Sequence, residues 1–251
     1  MNAKWWNGRL LGFVLIVALL GLWEISVKSG MTQSLSFPPI STVLQAWWKL
    51  IYSGVIVEQL GASLYRMFIG YFLAAFCGIT LGLLMGYFRI MDNLLEPLVE
   101  LLRPIPTPAY IPVAILLLGL GTEMKVFLIA AATFFPILLN TYSGVKHVDA
   151  VQIDTGRTFG LNGYNILRKI IFPSAIPHVF TGLRISLGIG LIMVVISEMV
   201  AANSGIGYFI LQAQRSFEVA QMYAGILTLG IVGYLLNFIF IRIEKRIVHW
   251  S

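Results

Sequence analysis

Charge is scarce in this 251-residue chain. Only 11% of its residues are Asp, Glu, Lys or Arg, 58% are hydrophobic, and the mean hydropathy is +0.86. A soluble domain carries about 25% charged residues. Too little charge is present here to cover a water-facing surface, which excludes a soluble globular domain, a disordered chain and a nucleic-acid-binding protein. Cysteine is nearly absent. Cys77 stands alone in an apolar run, so a disulfide framework and a cysteine-rich metal site are excluded. The three histidines, His147, His178 and His249, are scattered and form no His-x-x-x-His pair, which argues against a metal centre. No Gly-x-x-x-x-Gly-Lys-Ser/Thr run occurs, so the chain lacks that cradle for nucleotide phosphates. What remains is an integral membrane protein. Its 24 glycines and 10 prolines fit that class, in which both are commoner in helices than in soluble folds.

A helix needs about 20 apolar residues to cross a hydrocarbon core of about 30 Å. Charge-poor intervals give candidate spans at 9–27, 66–88, 104–122, 126–145 and 219–241; a sixth, 180–202, contains Arg184 and Glu198. None shows period-two alternation, so the expected fold is all-α with about six transmembrane helices rather than a β-barrel. Lys4 and Arg9 before Leu10–Trp23 resemble a signal peptide, but no small-residue cleavage site follows, and the first span reads as a retained anchor. Orientation follows from Lys and Arg. With the N-terminus inside, ten basic residues fall on inner segments, among them Arg89, Lys146, Arg157 and Arg246. Four fall outside: Lys28, Lys49, Lys125 and Arg215. Both termini are therefore expected to be cytoplasmic, and topology accounts for most of the net charge of +6.

Three segments between spans stand out. In the outer loop 28–58, Val43, Leu44, Trp47, Trp48 and Ile51 recur at helical spacing, which predicts a helix lying on the membrane surface. Residues 103–112 hold four prolines, which no regular helix accommodates. They read either as a broken helix beside a translocation route or as a kinked start to the third span. The segment 146–177 is the most polar in the chain and too long for a simple turn. Val151, Phe159, Leu161, Tyr164, Leu167, Ile170 and Ile171 give it apolar faces, as a docking surface for another protein would have.

Within that segment Asp154-Thr155-Gly156 is followed after three residues by Gly160, and after nine more by Ile170, Ile171, Phe172 and Pro173. This resembles the signature of ABC importer permeases: Glu-Ala-Ala, three residues, Gly, nine residues, Ile, any residue, Leu, Pro. The spacing agrees throughout. Asp154, Thr155, Gly156 and Phe172 depart from the pattern, and Thr and Gly are weaker helix formers than Ala. Arg103-Pro104-Ile105-Pro106, Ile111-Pro112, Gly119-Leu120-Gly121, the run Phe134–Tyr142 and Ser204-Gly205-Ile206-Gly207-Tyr208 are similar to the nitrate, sulfonate and taurine branch of that family. The likeness runs from about residue 36 to the C-terminus.

The resemblance implies a type I importer permease in a prokaryotic cytoplasmic (inner) membrane, in contact with membrane lipid. Its partners would be ABC ATPase subunits, a second permease subunit, expected to be identical, and an extracytoplasmic substrate-binding protein. ATP and Mg would be bound by the ATPase, with no cofactor in this chain. It further implies that Asp154, Thr155, Gly156, Gly160, Leu161, Asn162, Ile170, Phe172 and Pro173 couple the chain to the ATPase. Gly160 would allow the turn between two short helices, Pro173 would end the segment, and Asp154 would pair with the ATPase or brace the loop.

Charged residues inside a membrane are costly and often functional. Arg66 and Glu198 are the candidate path residues, and both are expected toward the outer half, where they could pair. The implied cargo is a sulfonate, taurine or nitrate-like solute, or a larger organic compound such as a vitamin precursor. A gradient-driven secondary transporter is the alternative, opposed by the lack of a convincing inverted internal repeat and of acidic residues deep in the spans other than Glu198. An intramembrane hydrolase built on Ser204 lacks a nearby histidine.

Overall fold

A computed structural model describes residues 3–30 and 36–249, with side chains from residue 10 onward. Residues 31–35 of the expected outer loop lie outside the described residues, as do the side chains of Lys4 and Arg9. The described residues are helical, with no strand. The helices are α1 Ala3–Lys28, α2 Ile40–Tyr52, α3 Val55–Tyr87, α4 Arg89–Leu102, α5 Ile111–Leu118, α6 Thr122–Lys146, α7 Ala150–Thr158, α8 Gly163–Ile166, α9 Phe172–Ala201, α10 Ile206–Arg215 and α11 Val219–Ile247. A 3-10 turn, Thr107–Tyr110, precedes α5, and a π turn, Leu167–Ile171, joins α8 to α9.

Five helical stretches are long and apolar enough to cross a membrane: Leu10–Lys28, α3, α6, Gly163–Ala201 and α11. The expected third span, 104–122, is not one helix. Pro104, Pro106 and Pro108 remove backbone donors, and the chain instead forms α4 and then Thr107–Leu118, bent by 87° from it. Counting that bent pair as one span gives six. The charges of α4, Arg89, Asp92, Glu96 and Glu100, recur at helical spacing and mark a polar face, so this helix is amphipathic.

The core is α3 against α6, with α6 also packed on α9. Small residues let the backbones approach, as is usual between membrane helices. A Cβ on Gly70 would stand 2.8 Å from the Ile129 Cβ, and one on Gly82 would stand 2.7 Å from the Thr141 Cβ. Met67, Met124, Leu128, Ile129 and Val194 fill the centre.

The ends of the spans depart from the charge-run boundaries. α3 starts at Val55, eleven residues before Arg66, and its 33 residues extend about 50 Å. α2 is the predicted helix, but it packs on the bundle with one face. Val43 is buried and the Trp47 indole donates to Thr228 Oγ1 at 3.0 Å, while Trp48 and Tyr52 stay exposed. α1 touches the rest of the chain at its last turns: Trp23 Nε1 donates to the Pro38 carbonyl and Ser41 Oγ donates to Glu24.

Candidate functional site

The two ends of the bundle carry the two groups of residues that the sequence singled out. At one end lie α7 and α8. Asp149 caps α7 by accepting from the Val151 N–H at 2.9 Å, and Asn162 caps α8 by accepting from the Asn165 N–H at 2.9 Å. Between them α7 closes with two backbone bonds, Gly160 N–H to Arg157 O at 2.9 Å and Leu161 N–H to Gly156 O at 3.0 Å. This closure puts residue 160 in the left-handed region, at φ 76, which glycine adopts without a Cβ clash. The turn expected at Gly160 is therefore present in the backbone.

The segment's apolar residues divide into two sets. Leu161, Ile166, Leu167 and Ile171 turn inward onto Val145, Ala175, Leu83 and Tyr87. The Tyr87 hydroxyl donates to the Gly163 carbonyl and fastens the segment to the end of α3. Val151, Phe159 and Tyr164 point outward and are exposed. A hollow of about 540 Å³ opens between α7 and the start of α9, with Val151, Gly156, Phe159, Ile170 and Pro173 in its wall. Gly156 is buried, and a Cβ there would meet Ile170 Cδ1. Thr155 Oγ1 donates back to the Val151 carbonyl at 2.6 Å.

One expectation for this segment needs correction. Pro173 does not end it. The helix continues from Gly163 to Ala201, because the π turn Leu167–Ile171 widens the backbone just before the proline. Residues 172–177, Phe172 among them, thus belong to the long helix α9. Of the expected coupling residues, Leu161 packs inward and the Asn162 side chain caps α8. Phe159, 82% exposed, is the most prominent apolar side chain. Asp154 is exposed and pairs with Arg157 of its own helix at 3.1 Å.

At the other end of the bundle the structure joins Arg66 to Glu198. Arg66 Nη1 stands 2.7 Å from Glu198 Oε1. The carboxylate has no exposed surface and also accepts from Ser63 Oγ, at 2.8 and 2.9 Å, and from the Gly207 N–H at 3.0 Å. Arg66 further donates to the Ser204 carbonyl at 2.8 Å and the Ser204 hydroxyl at 2.7 Å. Gln59 and Ser63 accept from the Gly205 and Ile206 N–H groups, which open α10. The segment Ser204–Gly207 is thus laced to α3 and to the end of α9. Gly205, at φ 115, lies against the Glu198 carboxyl, where a Cβ would collide. Glu198 has no exposed surface in this chain, and the Arg66 guanidinium is bonded to Ser204 and Glu198.

Sequence reasoning missed Gln59, Ser63 and the two glycines as members of this network; the flanking Gly205 and Gly207 were the available signal. It also placed Lys125 among the external loop charges. Lys125 is 3% exposed, because the 119–121 turn folds over it and the ammonium donates to the Leu120 and Gly121 carbonyls at 2.8 and 2.9 Å. Among the described residues no three His, Cys, Asp or Glu side chains form a metal-binding group.

The chain is an all-helical membrane bundle with a short paired-helix segment at one end. It superposes on a chain of the MetNI methionine ABC transporter in an inward-facing conformation, with TM-score 0.66 and 19% identity, covering 74% of this chain and 93% of that one. Residues 78–250 match the family described as binding-protein-dependent transport system inner membrane component, and the chain belongs to that family. It is 30% identical over 243 residues to the putative aliphatic sulfonates transport permease SsuC of Bacillus subtilis (strain 168), covering 97% of this chain and 88% of the relative. It is also 30% identical over 240 residues to the taurine transport permease TauC of Escherichia coli (strain K12), covering 94% and 87%. The chain is a multi-pass membrane permease of the ABC importer class.

Proposed function

We propose that two copies of this chain form the translocation path of an ATP-driven importer in a prokaryotic inner membrane. The segment 149–173 docks on a separate ATPase, which binds ATP and Mg. A binding protein outside the membrane delivers a small sulfonate, taurine or nitrate-like anion. The supporting observation is the α7–α8 pair: with the left-handed Gly160 between them, Val151, Phe159 and Tyr164 are exposed, the first two at the rim of an open hollow. Exposed apolar side chains beside such a hollow mark a protein-binding surface. Glu198 weighs against a gradient-driven transporter whose coupling ion would be taken and released by a carboxylate in the spans. Here that carboxylate is held by three donor residues and has no exposed surface.

The test is uptake into proteoliposomes holding the permease, its ATPase and its binding protein. Accumulation of labelled taurine or an alkanesulfonate that needs internal or external ATP on the ATPase side, and survives collapse of ion gradients, is the expected result. Uptake that follows a gradient and ignores ATP would reverse the reading. Nitrate and a larger organic anion, offered as competitors, resolve the cargo class.

A further inference from the structure

Five described helices are left through a residue in the left-handed region. Four of these residues are glycines: Gly30, Gly54, Gly119 and Gly160, after α1, α2, α5 and α7. The fifth is Phe217, at φ 57, the one non-glycine with positive φ among the described residues. The hydrogen bonds there repeat those at Gly160. Phe217 N–H donates to Gln214 O at 3.2 Å and Glu218 N–H to Ala213 O at 2.8 Å, the pattern that closes a helix and favours glycine at this position. An aromatic side chain crowds the carbonyl beside it in this conformation. Burial of the ring could offset that strain, but the ring is not buried in this chain. Phe217 is 89% exposed.

Beside it lies a hollow of about 520 Å³, between α2 and the start of α11. Its wall includes Gln45 and Lys49 from α2, and Glu218 and Gln221 beyond Phe217. Side chains of both signs and two amides do not suit the lipid core, and they do suit the polar rim of a protein interface. A projecting aromatic ring beside such a rim has the form of an interface anchor. This end of the bundle is the one opposite α7 and α8, because α3 runs from Val55 here to Tyr87 beside Gly163.

We infer that Phe217 is the anchor by which this chain holds its solute-binding protein, with polar side chains of that protein entering the hollow between α2 and α11. The assignment rests on the importer reading, which places a binding protein at the end away from the ATPase. The strained Phe is retained because the ring is buried in the complex rather than in the permease.

The permease–ATPase complex in nanodiscs, titrated with the purified binding protein of the same system, tests this. Phe217→Gly relieves the backbone, so its thermal midpoint should equal or exceed that of the wild type. Its dissociation constant for the binding protein should rise at least about tenfold, the order expected for loss of an anchor. Phe217→Trp should stay near the wild-type affinity. Wild-type affinity in Phe217→Gly, or a lowered midpoint that explains any loss, would overturn the assignment. A fluorophore at Phe217→Cys in a Cys77→Ser background gives the second readout. Emission that shifts on adding binding protein supports the inference; emission quenched by brominated lipid and blind to the binding protein gives the ring to the lipid interface and overturns it. A wild-type complex that binds neither ATPase nor binding protein would remove the importer reading itself, whereas unchanged affinity in Phe217→Gly removes only the anchor.

Discussion

Glu198→Ala should destabilise the protein by about 3–5 kcal/mol, the cost of leaving one member of a buried ion pair without its partner. At about 2–4 °C per kcal/mol for a chain of this size, the thermal midpoint of the purified protein should fall by about 6–20 °C. The loss comes from several orphaned groups together. Without the carboxylate, the Arg66 guanidinium keeps only Ser204, the Gly207 N–H loses its acceptor, and the Ser63 hydroxyl keeps as acceptor only the Gln59 carbonyl at 3.2 Å. Glu198→Gln keeps an acceptor oxygen of similar shape, so it should cost less. Removing both charges, in Arg66→Met with Glu198→Gln, should cost less than the sum of the single changes, because members of one network are not additive. Additive costs across that cycle would show that the two side chains do not act as a pair. Membrane-level and midpoint measurements on equal amounts of each variant decide it.

Gly160→Val should abolish transport while leaving the bundle inserted. The space around Gly160 is open, with nothing within 4 Å of an added Cβ, so the effect comes from the backbone alone. Holding a non-glycine residue at φ 76 costs about 1–2 kcal/mol, and a β-branched one is worse placed still. The chain can escape that cost by shifting the turn, which moves α8 relative to α7 and closes or tilts the face that Phe159 and Val151 present. Uptake should fall at least tenfold at equal permease levels. Gly160→Asn makes the comparison, since Asn tolerates the left-handed region, and it should keep most of the uptake. Equal uptake in Gly160→Val and wild type would remove the turn from the coupling account.

Charge-free runs of about 20 residues expose α3, α6 and α11, because such a run has few other uses; the longest helical stretch, Gly163–Ala201, is legible at 180–202 in spite of Arg184 and Glu198. The sequence places their ends badly for a physical reason. A run bounded by charges stops at Arg66, yet an arginine can stand eleven residues inside a helix when a buried carboxylate meets it. The pairing of Arg66 with Glu198 follows from their expected depth; the hydrogen bonds from Ser63 and from the Gly207 backbone do not, since they depend on how α10 folds back on α3. α4 and α10 were passed over because they are short and amphipathic, with no long apolar run. Four prolines between 103 and 112 announce a break, and an 87° bend is what they allow. In the α7–α8 segment the family resemblance implied a turn at Gly160, and the backbone there is left-handed. The resemblance misjudged the proline, because a π turn lets a helix run through a residue that would otherwise interrupt it.

Docking of an ATPase on α7 and α8 is the centre of the account, and a photoreactive side chain at position 159 tests it most directly. Phe159 is exposed beside the hollow, so a photoreactive aromatic side chain of similar shape there should leave the fold intact. Irradiation of native membranes should yield one prominent adduct that contains the permease and a nucleotide-binding subunit. The same group at Leu116 on α5, which is also exposed, should give no such adduct. Failure to capture any nucleotide-binding chain from position 159, in membranes where the variant still transports, would contradict the account.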